Sequence, residues 1–318
     1  MPALVTGCAG FIGSHLTEAL LADGETVLGI DCFNDNYGRR EKLRNLERAT
    51  DWEDFEFIPI DLSRGDLFDI VAECDTVFHL AAEPGVRPSW GERFEQYLRN
   101  NVLATQHLLE AARATPSNRF VYASSSSIYG QAESFPTPED SRPQPFSPYG
   151  VTKLSGEHLC DLYHGNYGVE TVSLRLFSVY GPRQRPDMAF NIFSRAILES
   201  EPITIFGDGT QTRDFTYVGD VVTALRLAAG EPAAVGAVFN VGGGARVSLA
   251  ESLSLLAERA GAEPEVNHRA FQHGDVNDTC ADTTRISQTL GFAPRTALAD
   301  GLAAELEWMR ESLALSGR

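Results

Sequence analysis

The chain has 318 residues, 43% of them hydrophobic, enough to bury one large core or two smaller ones. Its formal net charge of -18 argues against nucleic acid or an anionic membrane as partner, although a local arginine cluster can still receive an anionic small molecule. Cys8, Cys32, Cys74, Cys160 and Cys280 are scattered without CxxC or Cys/His spacing, and neither a leader nor a bilayer-spanning apolar run is read. The expectation is a cytoplasmic protein with no metal site and no disulfide framework.

Residues 3–6 read as a short apolar strand, followed by Gly7, Gly10 and Gly13 in GCAGFIGSH and a helix over 14–22. Glycines let the backbone approach a pyrophosphate, and a helix N-terminus offers free N–H groups and a positive dipole end. The spacing is GxxGxxG, one residue longer between the first two glycines than GxGxxG. The strand before and helix after supply the context that a dinucleotide site requires. Residues 25–30 form a second strand, ending at Asp31, 18 residues after Gly13. An acid there binds the adenosine ribose hydroxyls and repels a 2′-phosphate. With Cys32 rather than arginine next, NAD is favoured over NADP.

A polar, Arg-rich loop and helix cover 34–48, and a strand covers 55–59. Asp61 and Leu62 follow at a position suited to an adenine edge. The strand over 76–80 ends in Ala81 and Ala82, small enough for backbone to pass close to a dinucleotide. The Pro/Gly loop 83–90 lies at that strand's C-terminal end, where parallel sheets bind ligands, and its Arg87 is a candidate anion contact. Residues 93–114 have helical periodicity, with Tyr97, Asn101, Ala104, Leu108 and Ala111 on one side. A strand over 120–124 runs into the serines 124–127, candidate hydroxyl donors to a substrate oxygen. A Pro/Ser-rich loop, 131–145, comes next.

Ser147 and Pro148 then make a helix start. Tyr149 and Lys153, at i and i+4, share one face of that helix. A free phenol titrates near ~10, and a neighbouring ammonium favours its ionised form. Lys42 and Lys153 are the only lysines in the chain. A strand over 170–177 completes an alternation of strands and helices that specifies a parallel, doubly wound α/β sheet.

After Ser178 the pattern changes. Residues 179–187 form a basic Pro/Gly loop, 190–199 a helix, 203–206 a strand and 207–214 a glycine-rich turn carrying Arg213. A helix over 220–229, capped by Asp220, precedes a strand over 237–241 and helices over 248–260, 283–290 and 298–313. The predicted organisation is a dinucleotide domain over 1–177 and a smaller α/β substrate domain over 178–318, with segments near 213–245 packing back on the first.

GCAGFIG, Asp31, HLAA at 79–82, NNV at 100–102, SSSS, YGVTK, LRLFSVYGP and RDFTYVGD occur in that order. The set resembles the extended short-chain dehydrogenases/reductases of the sugar-nucleotide epimerase/dehydratase group, over nearly the whole chain. DCFNDNYG at 31–38, PGVRPS at 84–89, YASSSSIYG at 122–130 and GPRQRPDMA at 181–189 are similar to UDP-glucuronate 4-epimerases. UDP-glucose 4-epimerases and UDP-glucuronate decarboxylases share most of the scaffold.

The resemblance implies a Rossmann fold and NAD held by Gly7, Gly10, Phe11, Ile12, Gly13, Asp31, Asn34, Asp61, Leu62, Leu80, Ala81, Ala82, Asn101 and Ser124, with Lys153 on the nicotinamide ribose. Tyr149 is the implied acid/base, and Ser125 shares the reacting hydroxyl. Arg87, Ser125, Ser126, Ser178, Arg185 and Arg213 are the implied UDP-sugar contacts, with Arg213 on the diphosphate. Ser178 stands where the epimerases often carry Thr or Asn. Dehydratases of the group carry an Asp-Glu pair after the hydroxyl residue and decarboxylases a Glu. This chain has Ser126 and Ser127 there. The expected activity is therefore C4 epimerisation of UDP-glucuronate through a 4-keto sugar, with UDP-glucose/UDP-galactose epimerisation or UDP-glucuronate decarboxylation as alternatives. A silent NAD(H)-sensing module is a rival of another class, and the intact Ser125, Tyr149 and Lys153 argue against it. A homodimer through helices 93–114 and 149–164 is the implied assembly.

Overall fold

Short aliphatic runs closed by glycine turns or polar loops alternate with helices through the first half of the chain. The computed structural model describes residues 1–115, 119–270 and 276–316. In order come β1 (Ala3–Thr6), α1 (Phe11–Ala22), β2 (Val27–Ile30), α2 (Arg39–Leu46), β3 (Phe55–Ile58), α3 (Phe68–Ala72) and β4 (Thr76–His79). Then come α4 (Phe94–Tyr97), α5 (Ala104–Ala114), β5 (Arg119–Ser125), α6 (Pro148–Tyr167), β6 (Glu170–Leu176) and β7 (Val179–Tyr180). The second half holds α7 (Ala189–Glu199), β8 (Ile203–Phe206), β9 (Thr212–Asp214), β10 (Thr216–Tyr217), α8 (Val218–Gly230) and β11 (Val238–Val241). β12 (Arg246–Ser248), α9 (Leu249–Ala260), β13 (Val266–Arg269), α10 (Thr284–Leu290) and α11 (Leu298–Ser316) follow.

Seven parallel strands form the main sheet in the order β11-β6-β5-β4-β1-β2-β3. This is the Rossmann-like, doubly wound arrangement. Both faces are covered, so the strands carry apolar residues on both sides. Leu16 and Leu20 of α1 and Val221, Ala224 and Leu225 of α8 pack on one face. Leu108 and Ala111 of α5 and Cys160 and Tyr163 of α6 pack on the other. A separate core joins Phe190 and Phe193 of α7, Ile203 and Ile205 of β8, Leu256 of α9 and Leu302 and Leu306 of α11. The order of strands reverses between β1 and β4, which opens a crevice at their C-terminal ends.

Several boundaries differ from those read in the sequence. α1 starts at Phe11, three residues before the expected 14, because extended Gly10 caps it and Gly13 lies in its first turn. The 93–114 helix is interrupted: residues Leu98–Leu103 form a π-helical stretch between α4 and α5. Asp220 is not a helix cap. α8 begins two residues earlier, and the Asp220 carboxylate instead accepts the N–H groups of Arg295 and Thr296 at 3.0 and 3.1 Å. β13, which pairs with β8, and the short strands β9, β10 and β12 lack an alternating pattern long enough to announce them. Among the described residues no helix is long and apolar enough to cross a membrane, and no cluster of potential metal ligands occurs.

Candidate active site

A cleft of about 840 Å³ runs along the C-terminal ends of the sheet strands and under the second lobe. One end is built from the β1–α1 turn. Gly7 has φ +72°, and a Cβ there would stand 2.9 Å from the backbone of Ala81. A Cβ at Gly13 would run into the Gly7 carbonyl. Only glycine lets the turn, α1 and the Ala81 backbone approach this closely. No side chain caps α1, so its first N–H groups face the cleft as a seat for phosphate.

Asp31 lies at the end of β2. Burial raises its carboxyl pKa, Lys42 opposes that rise, and the Phe33 N–H donates to it at 2.8 Å. Asp61, Leu62, Leu80 and Ala82 line the same end. These residues fit a dinucleotide: a glycine cradle with free amides for a pyrophosphate, and an acid for a ribose.

The other end centres on α6. Ser147 accepts the Gly150 N–H at 3.1 Å, and Pro148 occupies the first turn. A Cβ at Gly150 would stand 2.5 Å from the Ser127 carbonyl oxygen, so the helix start sits directly on the serine run. That contact brings Tyr149 to Ser125. Burial raises the Tyr149 phenol above its ordinary value, while the hydrogen bond with Ser125 and the charge of Arg185 oppose the rise. Arg185 lines the same cleft, and its positive charge acts on the phenol. The Lys153 ammonium, one turn further on, lies 4.6 Å from the Tyr122 ring centroid, and burial lowers its pKa to about 8.

The cleft is lined by Gly7, Gly10, Phe11, Ile12, Gly13, Asn34, Ala81, Ser124, Ser125, Ser126, Tyr149, Lys153, Ser178, Arg87, Arg185 and Arg213. Asn101 stands apart. It is buried beneath the cleft, where its amide accepts the Glu83 N–H at 2.6 Å and donates to the Glu83 carbonyl and to Thr152, each at 3.0 Å. It holds the loop after β4 against α6, and Asn100 is the neighbour that reaches the cleft. Arg213 donates to the carbonyls of Val276 and Asn277 at 2.8 and 2.9 Å, and Val276 lines the cleft beside it. Arg87 stacks 4.6 Å from the Phe206 ring centroid and joins the two lobes across the cleft.

Two groups had no motif to announce them. Lys42 donates to the Asn34 carbonyl at 2.9 Å and to its side chain, and Asn34 in turn donates to buried Glu83 at 2.7 Å. Glu83 also gathers Gln96, Asn100 and Arg93. The rarity of lysine was the signal for Lys42; Glu83 had none. The second group is Glu157, one turn beyond Lys153 on α6. It pairs with Arg175 at 2.9 Å in the core and accepts the Ser124 hydroxyl. Arg175 goes on to the Tyr129 hydroxyl and the Glu139 carbonyl, each at 2.7 Å.

A sequence profile of the NAD dependent epimerase/dehydratase family matches residues 3–242. The chain belongs to that family. The crystal structure of UDP-glucuronic acid 4-epimerase from Bacillus cereus, in complex with UDP-glucuronic acid and NAD, is 44% identical, with a TM-score of 0.95 over 98% of this chain and 100% of that one. A protein of Bacillus subtilis (strain 168) named as the uncharacterized UDP-glucose epimerase YtcB is 44% identical over 97% of this chain and 98% of its own. The UDP-glucuronate 4-epimerase of Thermodesulfobacterium geofontis (strain OPF15) is 37% identical over 98% and 97%. This chain's site carries a glycine-built dinucleotide seat and Tyr149 in one cleft.

Proposed function

We propose that this chain is an NAD-dependent UDP-sugar 4-epimerase and that its substrate pair is UDP-glucuronate and UDP-galacturonate. One observation carries the reading: Tyr149, Ser125 and Arg185 line the same cleft as the glycine cradle and Asp31. Bound NAD supplies the hydride acceptor and donor for C4.

The chain's own residues do the rest. Tyr149 takes the proton of the 4-hydroxyl, Ser125 hydrogen-bonds the same oxygen, and Tyr149 returns the proton after the ketone has turned its other face. Lys153 orients the nicotinamide ribose from the inner turn of α6. Positioned donors, rather than added reagents, provide most of the acceleration.

The substrate assignment rests on charge. A 4-keto uronate is a β-keto acid, and it loses CO2 when its carboxylate bond aligns with the carbonyl π system. Arg185, Ser126 and Ser178 line the cleft and can hold a carboxylate out of that alignment. Ser126 and Ser178 are hydroxyl donors, not carboxylic acids, and can hold the carboxylate without delivering a proton to C5. UDP-glucose/UDP-galactose epimerisation is the second reading, favoured by the name of the Bacillus subtilis relative.

Purified protein given UDP-glucuronate is expected to form UDP-galacturonate; UDP-pentose with CO2 as the main product would overturn the assignment. Tyr149→Phe should lower kcat by about 10²–10⁴-fold with NAD still bound. Retained turnover removes Tyr149 from the mechanism.

The assembly proposed is a homodimer. Leu98 and Leu103 between α4 and α5, and Val151 and Leu162 of α6, are each more than 40% exposed and offer an apolar face. A single-chain mass in light scattering would contradict it. The free thiols fit the cytoplasm as the compartment.

A further inference from the structure

The loop of residues 181–187 places Arg185 in the cleft that also holds Tyr149, yet its own anchors lie elsewhere. Nε2 of His15 on α1 is 2.8 Å from the Pro182 carbonyl oxygen. The Arg183 guanidinium donates to Glu18, on the same helix, at 2.6 Å, with the two side chains only 11% and 21% exposed. From the opposite side, buried Glu305 of α11 accepts the Gly181 N–H at 3.1 Å. At the loop's far end Arg185 is held in a fork by Asp187, at 2.9 and 2.8 Å.

Arg183 bears two costs at once. Its φ is +67°, in the left-handed region that a side chain disfavours, and its Nη1 is buried without a hydrogen-bond partner among the described residues. Such strain persists only where surrounding contacts over-determine the conformation, and it concentrates where function uses the fixed geometry. Here the contacts that fix it come from α1, the helix whose first turn forms the phosphate seat. The cofactor helix and the loop aiming the cation at the sugar are therefore joined.

We propose that Arg183 is a positioning residue: through Glu18, and beside the His15–Pro182 contact, it ties Arg185 to α1 and keeps the sugar carboxylate out of line for decarboxylation while the ketone exists. The inference rests on the uronate reading above. In the leak it suppresses, the bond from C5 to the carboxylate breaks and CO2 leaves. The electron pair enters the C4 carbonyl as an enolate, and C5 takes a proton from solvent. UDP-glucuronate and NAD⁺ then yield a UDP-4-ketopentose, CO2 and NADH, so each leak leaves one cofactor reduced.

The test compares wild type, E18Q, R183K and the double variant, each checked for NAD content and melting temperature. UDP-glucuronate is supplied, UDP-galacturonate and UDP-4-ketopentose are quantified by mass spectrometry, and NADH is followed by absorbance. The ratio of ketopentose to galacturonate should rise roughly 2- to 30-fold in either single variant, the range that remote coupling mutations produce. The double variant should rise no further than the larger single effect. A general loss of stability lowers both products and leaves the ratio where it was. An unchanged ratio in folded, NAD-loaded variants overturns the positioning role, and E18Q, on the more exposed partner, decides if R183K does not fold. If wild type makes no UDP-galacturonate, the substrate reading fails first and this inference falls with it.

Discussion

Lys153 holds a charge where charge is costly. The residue is 4% exposed, and burial outweighs the attraction of Cys160 and Glu157, leaving a pKa of about 8 against an ordinary 10.5. Below that value the amine is charged in both folded and unfolded chains, so the full cost of burying it is present at neutrality. Between 8 and 10.5 the folded protein releases its proton first, and the cost fades as pH rises. Lys153→Met should therefore abolish turnover yet stabilise the cofactor-free protein by about 1–3 kcal/mol at neutral pH. The gain should shrink toward about pH 10. Urea unfolding at the two pH values measures it; a variant less stable than wild type at neutrality would contradict the argument. The Tyr149–Lys153 pair was legible because a helix turns spacing into a shared face. The place of Arg185 in the cleft with that phenol was not, because its loop is anchored by α1 and α11, both remote in sequence.

The elements meet through ion pairs as much as through apolar faces. Glu157 of α6 and Arg175 of β6 are 6% and 7% exposed and joined at 2.9 Å. Ser124 at the end of β5 and Tyr129 beyond it complete the network that fixes α6 against the serine run. Removing one partner leaves the other charge buried alone. Glu157→Leu should cost roughly 3–5 kcal/mol in denaturant unfolding, and adding Arg175→Met should restore part of it. Additive losses in the pair would show that the two side chains act independently. Alternating strands and helices announced the sheet, because both its faces are covered and each strand is a short apolar run. The π-helical stretch and the role of Asp220 were hidden, since both answer to packing between elements. The pattern within either one gives no hint of them.

Across the whole molecule, the sheet supplies a dinucleotide seat, the second lobe covers it, and Arg87 on Phe206 and Arg183 on Glu18 span the two. After β6 the chain divides its apolar residues: α7, β8, α9 and α11 build a core of their own, while α8, β11 and α10 pack on the sheet. The central claim is that one enclosed site removes hydrogen from C4 of the sugar and returns it to the other face. UDP-glucuronate carrying deuterium at C4, turned over in ordinary water, tests this directly by mass spectrometry and NMR of the UDP-galacturonate formed. The account predicts deuterium retained at C4 with no solvent hydrogen incorporated there. Loss of the label to water, or its replacement by solvent hydrogen, would contradict it.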